Sequence, residues 1–513
     1  MAQPLQSINL VAPAFKGINT EDSPITQDPS FAEVADQAVI DQRGRIASRK
    51  GIVSLTSDKI QLGSDYIHRV HVFYDTQGNE VTFSCGNNKI FTGTATLVDV
   101  TPAGYAITSN NWKMVNFNDA CYFFQRDYEP LIYSNALGVL TKVTDVVGHS
   151  ITIAQYGNEV LGAYGRLWVV DTSANKSTIY WSDLLDGIDF SGGSSGSINI
   201  EKAWPDGFDE IKAISAHNNF LIIFGQHSIV VYAGADSPAN MEIADTIAGV
   251  GCICRNSVQH IGTDILFMST AGLRSFSRAI QEKSMPLTDL SRNVKTEIVQ
   301  LVQRRTSPTA SAYSPEDSFY LITFPDEQIT YCFDLRGRLD NGSYRATRWP
   351  VSLFKSFHHK KDGTLLVGTI KGVGRYEGYS DEGQSYRFKY YSPGLTFSDP
   401  SKLKMLKKLR PTLIGGSSEE VFIYWSYDFE TSFNSAILLL GSQTPAYYED
   451  GEFSNPPPGI GISNFTGGVQ ISRQVINTTG DGTVITIGIE AQINGSQLSL
   501  QEINVLALMG RTI

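Results

Sequence analysis

Long apolar runs are missing from this 513-residue chain. The densest, Ala436 to Leu440, stops at Gly441, far short of the roughly 18 residues a membrane helix needs, so no membrane span is expected. Met1 to Leu10 lacks the basic start and apolar centre of a secretory signal, which predicts a chain made and folded in the cytoplasm. Cysteine is scarce, and the five present are irregularly spaced. That excludes a disulfide framework and predicts reduced, buried thiols. Basic excess is lacking too, and a net charge of -11 disfavours wrapping nucleic acid by neutralising its phosphates.

Recognisable catalytic chemistry is also absent. Gly192-Gly193-Ser194-Ser195-Gly196 matches G-x-S-x-G in letters, but a nucleophile elbow needs a strand before it and a helix after it. Asp189-Phe190-Ser191 and a polar strand flank it instead, so a Gly/Ser loop is expected. Cys252 and Cys254 would share one strand face, yet no second cysteine pair or spaced histidine completes a metal set, and buried strand thiols are the expectation. His68 and His71 point to opposite faces of a predicted strand, as do His358 and His359. Trp181-Ser182-Asp183 occurs once, without the partner residues of a WD40 repeat. The Ser-x-Asp-x-Gly-x-Thr-Trp turns of sialidase-like propellers and the Walker loop are missing. The reading is a protein that is not an enzyme and needs no cofactor or metal.

What is present is a repeat. Strand-like apolar runs at Glu80 to Cys85, Ala120 to Gln125, Arg166 to Asp171, Phe220 to Gly225, Asp264 to Ser269, Phe319 to Phe324 and Thr364 to Thr369 start 40, 46, 54, 44, 55 and 45 residues apart. That spacing suits the four-strand blade of a β-propeller. Each run is followed by a turn and a shorter apolar or aromatic run, such as Lys89 to Phe91 or Ile229 to Tyr232. Central strands that are apolar throughout are expected where blades stack face to face. The prediction is an all-β propeller of six or seven blades over residues 56–394, with one blade split between chain ends.

Both flanks differ from the repeat. Residues 1–55 read as an extended, turn-rich N-terminal arm that ends in a hairpin and packs with the platform, with a short helical turn near Asp28-Pro29-Ser30. A helix is predicted between Leu290 and Arg305, capped by Ser291 and burying Val294, Ile298, Leu301 and Val302. Over 395–513 the strands alternate apolar with polar, predicting an antiparallel sandwich-like platform domain in which Tyr447 to Gly467 forms an exposed loop.

Two basic sets stand out. Lys402, Lys404, Lys407, Lys408 and Arg410 interleave with apolar residues, and Arg43, Arg45, Arg49 and Lys50 flank the hairpin turn. A solvated face is the ordinary account of such runs; the alternatives are a contact with an acidic partner surface or DNA for the first set and docking onto a neighbouring subunit for the second.

The string Gly17-Ile18-Asn19-Thr20, Asp22-Ser23-Pro24, then Asp41-Gln42-Arg43-Gly44-Arg45-Ile46 and Arg49-Lys50-Gly51, resembles the start of tail nozzle proteins of short-tailed bacteriophages. These are also called tail tubular or packaged-DNA stabilisation proteins. The order of parts is similar as well: arm, propeller repeats, a Lys/Arg-rich passage, a terminal β-domain and a closing Gly510-Arg511. The resemblance implies a structural virion component, a homohexamer below the portal and adaptor ring. Such a nozzle retains packaged DNA, conducts it at ejection through its lumen, and carries tail fibres, spikes or a needle. Asp22 and the two basic sets become candidate adaptor or inter-subunit contacts. The acidic balance fits, because an anionic lumen repels phosphate. The alternative is a receptor- or carbohydrate-binding propeller, for which 23 Tyr and 6 Trp supply stacking surfaces.

Overall fold

The computed structural model describes residues 5–281, 289–416, 420–440, 447–449, 452–454 and 471–512. Strands dominate it. Four free-standing sheets of four strands span 69–99, 113–142, 157–199 and 211–247, and a three-stranded one spans 259–275. A sixth, over 356–376, takes its fourth strand from β5 (Ile52–Ser54), which pairs Ile52 with Tyr376 and Ser54 with Gly374. The seventh unit, the four strands of 310–350, is one end of a nine-stranded sheet. The units form a ring. The first strand of each lies beside the first strand of the next, and Ser356–His359 returns to Arg69–Tyr74.

Every one of the seven apolar runs is the second strand of a unit. Arg166–Thr172 and Phe319–Phe324 are buried at every residue, because both faces of each sheet are covered by neighbouring blades. Clusters such as Phe83, Phe123 and Trp112 fill the space between adjacent blades. The split blade expected at ring closure is the one β5 completes.

Beyond the propeller the nine-stranded sheet runs from Tyr344–Pro350 through β2 (Val34–Asp36) to Tyr386–Tyr391, Ile485–Ile493, Glu420–Tyr427 and Asn434–Leu439. An eight-stranded sheet is built on the long antiparallel pair Lys402–Gly415 and Leu498–Thr512, and it recruits β1 (Leu5–Leu10), β3 (Ala38–Ile40) and β4 (Ile46–Ser48). Together they bury one apolar core that includes Leu406, Leu409, Ile487, Ile489, Ile503 and Val505.

The arm is therefore no loose appendage. Leu10, Val11, Phe15 and Ile18 are fully buried in that core, and the five arm strands are shared among three sheets. Two glycines of the arm permit this. Gly17 has φ +92, and a Cβ there would sit 2.7 Å from Ala346 N; at Gly51 a Cβ would sit 2.0 Å from Ser380 O. Only glycine tolerates so close a backbone approach.

Several local expectations need correction. The helix is α2 (Lys295–Arg304), following α1 (Phe276–Gln281), which the sequence pattern did not suggest. Val294, Ile298, Leu301 and Val302 are buried as expected, but Ser291 caps nothing: its hydroxyl accepts from Leu273 N at 3.0 Å and donates to Asp289 at 2.8 Å. Asp28-Pro29-Ser30 forms a turn instead of a helix, with Ser30 N bound to Asp28 Oδ1. Within the expected loop, Tyr447–Glu449 pairs with Glu452–Ser454 as a hairpin, and 455–467 lies outside the described residues.

Candidate functional site

The basic residues of the arm gather at a cavity of about 370 Å³ between the β3/β4 hairpin and the 310–376 blades. Arg43 is exposed, Arg45 pairs with Asp41 at 2.7 Å, and Lys50 bonds Asp317 at 2.7 Å. Arg49 is corrected: at 1% exposure it contacts no partner surface. Its guanidinium makes two bonds to Asp381, at 2.9 and 2.6 Å, donates to Gln37 at 2.6 Å, and packs over Tyr386 with 4.3 Å to the ring centroid. The ion pair holds the guanidinium charged despite the burial that opposes it. Arg49 is a rivet between arm and propeller.

Asp22 is exposed, in a turn organised by Asn19, which donates to Asp22 at 2.7 Å while its backbone oxygen receives Gln27 Nε2 at 2.7 Å.

The second basic set lies on the strand Lys402–Gly415. Lys404 is also corrected, since it is fully buried and its ammonium donates to the carbonyls of Asp399 and Thr483. Lys402 pairs with Asp399 at 2.9 Å. Lys407, Lys408 and Arg410 reach the surface and make no ion pair with a described carboxylate. Exposed apolar side chains accompany them on the platform: Ile437, Leu439, Ile471 and Val475 are each more than half exposed.

A third location carries chemistry that sequence inspection missed. On one face of the propeller the segments entering the first strands converge on the ring axis, around contiguous recesses of about 200 and 460 Å³. Arg69, Lys113 and Arg255 come from three different blades and surround Glu159. Lys113 bonds Glu159 at 2.6 Å. Arg126 pairs with Asp171, whose carboxylate also receives Asn158 at 3.0 Å. Burial depresses the pKa of Arg69 and Lys113 and lowers that of Arg255 to about 10; Glu159 opposes the shift in all three, and Arg69 adds to it at Lys113 and Arg255. One layer along, His71 donates its Nε2–H to Asn116 Oδ1 (2.9 Å) and meets the His358 ring at 5.0 Å. Burial lowers the His71 pKa to about 4 despite the Asn116 bond, and Arg69 and Lys113 lower it further.

The other candidates are structural. Ser194 of the Gly/Ser loop donates to Asp183 at 2.8 Å and accepts from Arg166 at 2.7 Å, and the loop runs into the strand Gly196–Asn199 instead of the helix of a nucleophile elbow. Cys252 and Cys254 are buried as expected, though in an irregular segment instead of a strand. All five thiols are buried.

No family model and no curated protein matches the chain. Among solved structures it is similar to the extracellular domain of a one-component system of B. thetaiotaomicron, at 10% identity and TM-score 0.41, over 66% of this chain and 41% of that one. It is also similar to the Neurospora crassa Pan2 WD40 domain, at 8% identity and TM-score 0.37, over 64% and 95%. An auxiliary nutrient binding protein of Bacteroides thetaiotaomicron aligns at 10% identity and TM-score 0.32, over 72% and 76%.

Proposed function

We propose that this chain is the wall subunit of a short phage tail nozzle, a homohexamer that continues the portal and adaptor channel, retains packaged DNA and conducts it at ejection. The observation that carries the reading is the role of residues 17–51. The segment that resembles nozzle proteins is the one whose strands lock propeller to platform, through Gly17, Arg49 and Gly51. A wall element needs such rigidity between its layers. Lys407, Lys408 and Arg410, with Ile437, Leu439, Ile471 and Val475 nearby in the platform, supply a basic and apolar surface for a neighbouring subunit or the adaptor ring.

Negative-stain microscopy and native mass measurement, with and without adaptor, test the assembly. Six-fold rings are the expected result; a strictly monomeric protein that never joins adaptor would overturn it. Charge reversal at Lys407, Lys408 and Arg410 should abolish ring formation while the unfolding midpoint stays within a few degrees. Deleting residues 1–30 is a poor test, because it strips Leu10, Phe15 and Ile18 from the core.

A second reading, a binding propeller that acts as a monomer, is favoured by the polar axial recess. Glycan or small-ligand binding by a monomer would select it.

A further inference from the structure

The axial recess holds more positive charge than it compensates. Arg69, Lys113, Arg126, Arg255 and Arg305 are five cations around two carboxylates, Glu159 and Asp171, and Lys212 on the same recess is paired with Glu210 at 2.8 Å, so the remainder is three positive charges. Hydrogen bonding is incomplete on the same side chains. Arg255 gives Nη2 to Asn111, whose O and Oδ1 each lie at 2.6 Å, while its Nε and Nη1 and the Nε of Arg69 are buried with no partner. Buried guanidinium donors left unmade are costly, and a cluster of them beside uncompensated charge calls for a bound ion or water to complete it. Acceptors are also left over, at Glu159 Oε2, Asp171 Oδ1 and Asn256 Oδ1. A ligand that carries both negative oxygens and a hydroxyl, or an oxyanion with its waters, satisfies both sets.

We propose that the propeller axis is a binding site for a small dianionic oxyanion of the phosphate class, gripped by Arg69 and Arg255 with Arg305 at the mouth. The planar forks of arginine suit tetrahedral oxyanions, which accept paired donors. Arg255 and Arg305 line the recess of about 200 Å³ and Arg69 the adjoining one of about 460 Å³; the two share Asn111, Asn256 and Thr309, and their junction has room for such an ion and several waters at about 30 Å³ each. Arg305 spends its Nη groups on two backbone carbonyls, those of Val302 and Ile253, leaving its charge without a carboxylate in contact. Glu159 orients Lys113 and keeps the deeper layer from repelling itself apart; His71 stays neutral beneath it. The site goes beyond the nozzle reading and holds whether or not the chain assembles.

The probe is sodium phosphate on the full chain, read by calorimetry and thermal unfolding against sodium chloride at equal ionic strength. Saturable heat and a midpoint that climbs with phosphate, absent with chloride, are expected. Arg255→Gln and Arg69→Gln should each weaken phosphate binding at least tenfold, and Arg43→Gln, far from the axis, should leave it unchanged. Equal responses to chloride and phosphate, or phosphate binding untouched in both recess variants, overturns the site. Should both recess variants fail to fold, Arg305→Gln at the mouth is read in their place, with a severalfold loss expected and no change overturning the site. Glycerol phosphate as a second probe separates sources: binding as tight as phosphate supports an ester-borne group, and tenfold weaker binding supports the free ion. Particle size is recorded for every variant. Recess variants that lose phosphate yet assemble as before keep this proposal apart from the nozzle reading.

Discussion

Arg49 and Arg255 are both arginines held inside the protein, and they are held in opposite ways. Arg49 sits where arm, propeller and platform meet, with a bidentate carboxylate, an amide oxygen, a backbone carbonyl and three aromatic rings around it. Arg255 sits on the propeller axis with one of its nitrogens bonded, two more buried without partners, and Arg69 and Arg126 close enough to repel it. The difference teaches how to read buried charge. Where the donors are spent inside the chain, as at Arg49, the residue holds the fold together; at Arg255, where donors are left over beside like charge, the proposed oxyanion takes them.

The largest expected effect lies at the completed site. Arg49→Ala strands Asp381 in the core and removes the stacking on Trp349, Phe354 and Tyr386; breaking a buried pair this way costs about 3–5 kcal/mol. Arg49→Lys should recover only part of that, because an ammonium cannot make the paired bond. Denaturant unfolding measures both, and a loss under about 1 kcal/mol for Arg49→Ala would erase the distinction between the two sites.

How legible each region was in sequence follows from the same contrast. The seven second strands stood out because burial on both faces leaves no polar position in runs such as Leu221 to Phe224. The first strands did not, since residues such as Arg69, Lys113 and Glu159 face the polar axis and mask the apolar alternation. In the arm the β3/β4 hairpin was legible from its glycine turn and forms as expected, whereas β2 and β5, three residues each, were too short for any periodicity to register and are completed by partners hundreds of residues away. Arg49 and Lys404 looked like surface charge because cations are mostly exposed, and nothing local announces Asp381 or Thr483. Ser291 had the right residue type for a cap, but tertiary bonds to Leu273 and Asp289 claimed its hydroxyl. The axial recess was invisible because its residues come from several blades and meet only when the ring closes.

The histidines near the axis give a smaller effect with a defined sign. His71 is neutral in the folded protein with its pKa lowered to about 4, against about 6.5 unfolded. Between those values the unfolded chain binds more protons, so stability is lost as pH falls from 6.5 towards 4. Its neighbour His358 is also pushed well below its usual value by burial, then by His71 and Arg69, and shifts in the same direction. His71 alone should contribute about 1–2 kcal/mol of destabilisation between pH 7 and pH 5. His71→Asn should flatten that slope; a wild-type stability unchanged from pH 7 to pH 5 would deny that the axis holds its imidazoles neutral.

Near the arm, Glu33 runs the other way. Burial alone raises its carboxyl to about 7, and its Oε1 is buried without a partner. A raised acid binds its proton in the folded state, so its contribution declines as pH climbs from about 4.5 through 7. Glu33→Gln should therefore stabilise the protein at pH 8, by about 1 kcal/mol after allowance for partial exposure, and should make little difference at pH 4.5. Equal effects at both pH values would assign the change to packing instead of charge.

The smallest expected effect is the sharpest test of the comparison. Arg255→Met, measured in buffer free of phosphate and sulfate, exchanges an under-bonded cation for an apolar side chain of comparable length. Four effects decide the sign. Asn111 loses a donor at its O and Oδ1, worth about 1 kcal/mol; the attraction of Glu159 and Asp171 for the guanidinium is lost; the weaker repulsion by Arg69 and Arg126 goes with it; and the desolvation of the buried guanidinium, the largest of these influences, is relieved. The relief offsets the losses, so stability should change by less than about 1 kcal/mol. Adding phosphate should then separate the proteins, because only the wild type gains from the ligand. If Arg255→Met costs as much as Arg49→Ala in phosphate-free buffer, the axis is held together by its own charges after all, and unspent donors are no guide to a ligand in this fold.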